Sequence, residues 1–123
     1  NELCVGHSPD EIKKIIAECH TGFCLDFGHA VYSANAKNIE PLEYITLFLE
    51  LNPDMYHLSD GDYSGIHDRH DHLGEGNFPL KQMIQLLEDG RMVSIETVKN
   101  YSDNLDDFVA DYNFLSKLMG SDK

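Results

Sequence analysis

Positive charge is what this chain has least of. Nine lysines and arginines stand against 22 aspartates and glutamates, a net charge of −13, and Arg69 and Arg91 are the only arginines. A field of that sign repels nucleic-acid phosphates and anionic membrane surfaces at long range. Carboxylates gathered around bound cations are partly neutralised, so the charge disfavours a nucleic-acid partner without removing one. Cysteine is also scarce. Cys4, Cys19 and Cys24 are odd in number and lack C-x-x-C spacing, which argues against a disulfide framework or a thiolate zinc site and predicts reduced, mostly buried thiols. No run of about 18 apolar residues is present to span a bilayer, and the opening NELCVGHSPDE lacks the basic-then-apolar order of a secretory signal. These absences predict a cytoplasmic address and no membrane partner. No Pro/Gly/Ser-rich linker and no short repeat divides the 123 residues, so a single domain is expected over 1–123.

What is present alternates in type. In SPDEIKKIIAECH, Ser8 stands at an N-cap, Pro9 at the first helical position and Glu11 three residues after the cap, a capping box followed by the apolar stripe Ile12, Ile15, Ile16 and Cys19. GFCLDF then reads as a buried strand of about five residues. PLEYITLFLELN reads as an amphipathic helix with Leu42, Ile45 and Leu49 on one face, and MYHLSD as a second strand. The polar GDYSGIHDRHDHLGEGNF reads as a long loop, PLKQMIQLLEDG as a helix ending near Gly90, MVSIET as a third strand and NLDDFVADYNFLSKLMG as a closing helix. Strands and helices in this order predict an α/β fold with a parallel sheet.

Each predicted strand ends in an ionisable residue: Asp26, His57 and Glu96. In parallel α/β folds, and above all in (β/α)8 barrels, the carboxyl edge of the sheet is where active sites are built. His29 lies three residues after Asp26, just past its strand end, and the loop after His57 adds the D-x-H pair Asp68 and His70. Carboxylate oxygens mixed with imidazole nitrogens, without thiolates, suit zinc, manganese or a similar divalent ion. Held together without metal, such groups incur desolvation and like-charge penalties of several kcal/mol. His67, His72, Asp60, Asp62 and Asp71 read instead as a solvated acidic loop. Gly74 and Gly76 give the backbone freedom for a sharp return into the next helix, Glu75 reads as exposed, and His7 and His20, at the ends of the first helix, read as structural.

FCLDFGHA, YHLSD, DRHDHLGEGNF and IET, in that order, resemble the C-terminal half of the xylose isomerase-like TIM barrels, the superfamily of endonuclease IV and of many sugar isomerases and epimerases. DRH followed three residues later by GEG is the most specific element and looks most like endonuclease IV. The resemblance implies metal ligation by Asp26, His29, His57, Asp68, His70 and Glu96, with Asp26, His29 and Glu96 against the reacting atoms. In the endonuclease branch it implies a multi-zinc centre that activates water for attack on the phosphate beside an abasic sugar in DNA. In the isomerase and epimerase branch it implies one ion, manganese or magnesium, held by Asp26, His57 and Glu96, with His29 on a sugar or sugar-phosphate substrate. The remaining family ligands, two histidines and a glutamate, would lie upstream of Asn1. A closed barrel has eight strands and typically about 250 residues. The chain is therefore expected to be the last three βα units of a barrel whose N-terminal half is absent, to risk self-association through its open sheet edge, and, taken alone, to be either inactive or a metal-binding module.

Overall fold

Ser8 caps the first helix as its sequence predicts: its hydroxyl accepts the Glu11 N–H at 3.3 Å. In the computed structural model, which describes residues 8–87, 89–99 and 103–120, helix α1 runs Pro9–Cys19 and stops at His20, whose backbone is left-handed at φ 52. Strand β1 is Cys24–Asp26, α2 Phe27–Ala36, α3 Pro41–Leu49, β2 Met55–Leu58, α4 Leu80–Gln85, β3 Met92–Ile95 and α5 Asp106–Gly120. Cys4 and His7 lie outside the described residues.

The three strands form one parallel sheet in the order β1-β2-β3. The register sets Leu25 beside Tyr56 beside Val93, and Asp26 beside His57 beside Ser94. Leu25, Tyr56 and Leu58 are buried, together with Phe27, Val31 and Tyr32 of α2, Tyr44, Ile45 and Phe48 of α3, and Met83 of α4. Phe27 stacks on Tyr56 with ring centroids 5.9 Å apart, and Tyr44 meets Phe48 edge-on at 5.1 Å. At about 1.5–3 kcal/mol for each such side chain fully buried, this cluster is what fixes the strand ends in space.

The structure departs from the sequence reading at several places. Helix α2 is an additional element, begun where a strand end and loop were expected. Asp26 both ends β1 and caps α2, its carboxylate accepting the His29 N–H at 3.0 Å. The stripe of α1 stays half exposed and only Ile12 of its four members packs against the core. The predicted helix over 79–90 contracts to Leu80–Gln85. Cys19 and Cys24 are exposed, not buried: Cys19 ends a helix with no buried face, and Cys24 precedes the first covered strand position, Leu25.

The loop from Ser59 to Pro79 is held from inside. Asp60, 1% exposed, accepts N–H groups from Gly61 and Phe78 on one carboxylate oxygen and from Gly74 on the other, at 2.8, 3.0 and 2.8 Å. Asp60 and Asp71 also form an antiparallel bridge. Asp60 was expected in solvent; its burial follows from these donors, because a carboxylate can leave water only where N–H groups replace it. Gly74, at φ 92, and Gly76, packed against Gly61, make the expected sharp return.

Candidate metal centre

Asp26, His57 and Glu96 meet at the carboxyl edge of the sheet. The His57 ring lies between the two carboxylates, its Nδ1 3.6 Å from Asp26 Oδ2 and its Nε2 3.7 Å from Glu96 Oε1. Glu96 continues the β3 ladder through its N–H to the Leu58 carbonyl at 2.8 Å, and Ser94, two residues earlier on the same side of the strand, donates its hydroxyl to Glu96 Oε1 at 2.9 Å. Asp26 is the least exposed of the three, with one oxygen committed to the α2 N-cap and the other facing His57.

A second grouping stands beside the first. His29 Nε2 and His70 Nε2 approach the same oxygen of Asp68, at 2.8 and 2.9 Å, and ligand atoms of these three residues all lie within 4.8 Å of one another. His29 Nδ1, at 4.0 Å from Asp26 Oδ2, links the two groupings. His29 projects from the first turn of α2 and is the most exposed member.

His70 is the most constrained. Its backbone is left-handed at φ 52, a conformation uncommon outside glycine, in which histidine is among the better tolerated residues. Its carbonyl accepts the Val98 N–H at 2.9 Å, and its Nδ1 lies 2.6 Å from the Glu96 carbonyl oxygen. A carbonyl can only accept, so Nδ1 carries the hydrogen and Nε2 is the atom presented to Asp68. Outer bonds of this kind orient histidine ligands at metal sites. Burial by itself would lower the His70 imidazole value, but the Glu96 carbonyl and the Asp68 carboxylate outweigh it and raise the value above 6.5. Without a cation, the shared Asp68 oxygen is satisfied best by two N–H donors. A divalent ion replaces those protons directly, and that is the respect in which the N,N,O donor set fits a metal.

All six predicted site residues therefore come to one edge of the sheet. The remaining loop residues divide. His67 is exposed and Asp62 serves its own turn, accepting from the Ser64 N–H and hydroxyl. Asp71 ion-pairs with Arg69 at 2.7 Å. His72, expected in solvent, has its Nδ1 3.0 Å from Asp111 of α5. Asp60 and Asp111 were missed as site-supporting residues. The one available signal was Asp111 at a spacing of four and seven from Leu115 and Leu118, a carboxylate on the apolar stripe of a helix.

Consecutive parallel strands, each delivering an ionisable side chain at its carboxyl end, are the arrangement of a (β/α)8 segment, and over residues 1–118 the sequence matches the family described as xylose isomerase-like TIM barrel. The chain belongs to that family. As a xylose isomerase-like barrel segment it contributes three parallel strands in one sheet. Among solved structures, a D-tagatose 3-epimerase-like protein shares its fold with a TM-score of 0.70 at 22% identity, over 94% of this chain and 42% of that one. The chain thus spans less than half the length of that structure. No curated protein matches the sequence. Among the described residues, no helix of this xylose isomerase-like chain is long and apolar enough to cross a membrane.

Proposed function

We propose that this chain provides part of the active site of a divalent-metal-dependent isomerase or epimerase acting on a small sugar or sugar phosphate. The observation that carries the reading is the strand-end trio: three consecutive parallel strands bring Asp26, His57 and Glu96 together, with the imidazole between two carboxylates. Two hard oxygens and one imidazole suit manganese, magnesium or zinc, and a bound ion would polarise a sugar oxygen as a Lewis acid. Asp26 is held in place by its N-cap bond and Glu96 by Ser94, while His29, exposed beside them, can contact substrate. The cations near the site are committed elsewhere: Arg69 pairs with Asp71, and Lys99 donates to the Ile95 and Thr97 carbonyls. With a net charge of −13, that leaves weak support for gripping a DNA backbone. The structural relative, a D-tagatose 3-epimerase-like protein, agrees with a sugar substrate.

A second reading, zinc-dependent phosphodiester hydrolysis at abasic sites in DNA, is favoured by the separate His29, Asp68 and His70 grouping, because paired centres stabilise attacking and leaving oxygens together. Elemental analysis of the gently purified protein, with a ketose panel and an abasic duplex, separates the two. The first reading expects one ion per chain, a count unchanged in His70→Ala, and metal-dependent interconversion of a ketose. Two or more ions, one lost in His70→Ala, with nicking of the duplex, would replace it with the second.

A further inference from the structure

Asp111 is the buried residue of α5, 3% exposed, and it shares its face of the helix with Leu115 and Leu118, which pack against the core. A helix docked by apolar contact alone has no use for a carboxylate there, since burying one is costly unless donors surround it. Donors do surround it. Oδ1 accepts the Leu73 N–H at 3.0 Å, and Oδ2 faces His72 Nδ1 at 3.0 Å and accepts the Thr97 hydroxyl. These donors come from two segments. His72 and Leu73 follow Asp68 and His70 on the loop, and Thr97 follows Glu96 at the end of β3. The same segments meet directly through His70 Nδ1 to the Glu96 carbonyl and Val98 N–H to the His70 carbonyl.

We infer that Asp111 is a positioning residue: it ties the loop carrying Asp68 and His70 to the strand end carrying Glu96, and so sets the distance between the two groupings of the candidate centre. It touches none of the six itself. It acts on the loop through His72 and Leu73 and on the strand through Thr97, and both anchors lie within three residues of a candidate ligand. Losing a partner bonded directly to a ligand typically lowers metal affinity about 10–100-fold, and a support one step further out should act near the lower end.

The test compares the protein with its Asp111→Ala and Asp111→Asn variants in two readouts. Histidine side-chain nitrogen resonances are recorded without metal; cobalt(II) affinity and its visible spectrum are recorded by titration. The metal readout rests on the function proposed above, and the imidazole readout does not. In Asp111→Ala the His70 Nδ1 hydrogen should exchange at least about tenfold faster, and cobalt(II) should bind about tenfold or more weakly with a shifted spectrum. Asp111→Asn, which keeps an acceptor for the Leu73 N–H, should recover part of both. A role confined to stability would lower the melting temperature and leave the His70 signals of folded molecules unchanged, and that result overturns the inference. If the parent protein binds no cobalt(II) while the His70 signals still respond, the metal reading fails and the positioning role stands. Should Asp111→Ala not fold, Thr97→Val and His72→Gln each remove one anchor, and unchanged His70 signals in both would overturn it equally.

Discussion

A Cβ on Gly76 would lie 2.3 Å from the Gly61 carbonyl oxygen and 2.5 Å from the Asp60 carboxylate, well inside contact distance. Gly76→Ala must therefore shift a loop whose two ends are both held by Asp60. Overpacking of this kind costs typically about 1–3 kcal/mol, and loosening a buried carboxylate from its N–H donors adds to it. Urea unfolding of Gly76→Ala should show a stability loss of about 2 kcal/mol or more, and a midpoint equal to that of the parent protein would contradict the packing described. At this scale the sequence was informative where a general rule links residue to place. Asp26, His57 and Glu96 were legible because a parallel strand delivers the side chains at its carboxyl end to the functional edge. Asp60 was not, because its donors are backbone N–H groups up to 18 residues away, and nothing in a run of polar residues distinguishes the one that turns inward.

Helix α5 is fastened by groups whose charge changes with pH. Burial alone would raise the Asp111 carboxyl, but hydrogen bonds from Thr97, His72 and Leu73 hold it below 3.8. Its contribution to stability is complete above that ordinary value and is lost as pH falls through the lowered one. The bond to Asp111 lifts the His72 imidazole above 6.5 against the opposing effect of burial. That contribution is complete below 6.5 and is lost as pH rises through the raised value. The two overlap fully between 3.8 and 6.5, so thermal unfolding followed by circular dichroism should give its highest midpoint there. His72→Gln should reduce the alkaline decline, leaving the part owed to the likewise raised His70, while the acid one persists. An alkaline decline of equal size in that variant would show that another group is responsible. Helix α2 was illegible for a related reason: seven of its ten residues are buried, so FGHAVYSANA lacks the alternating faces by which a surface helix is read. Helix α3 was legible as an element, but of its expected face Leu42, Ile45 and Leu49 only Ile45 is fully buried, with Tyr44 and Phe48 beside it and Leu42 and Leu49 partly covered.

Across the whole molecule, β1 and β3 each have one sheet neighbour among the described residues, and Met92 at the start of β3 is 68% exposed. Open strand edges of this kind favour pairing with another chain, and we propose that the protein self-associates there. The net charge of −13 opposes association at low ionic strength, so sedimentation equilibrium should show tighter association at 0.5 M than at 0.05 M salt, where screening lengths differ about threefold. Met92→Lys should weaken it. A monomer at every salt and protein concentration would refute the proposal. Fold class and sheet edge were legible at this scale because successive βα units obey one connection rule. The substrate was not, since carboxylates and imidazoles gathered at a sheet edge suit metal-assisted chemistry on sugars and on phosphodiesters alike.

The sheet order β1-β2-β3 is also the order of the chain, so each strand pairs with its nearest strand neighbour in sequence. All six candidate ligands exist once Glu96 has been added, fifteen positions before the Asp111 that ties their loop to their strand. All six candidate ligands therefore precede, along the chain, the residue we infer to position them. The candidate ligands and the residue inferred to align them are thus carried by separate stretches of sequence.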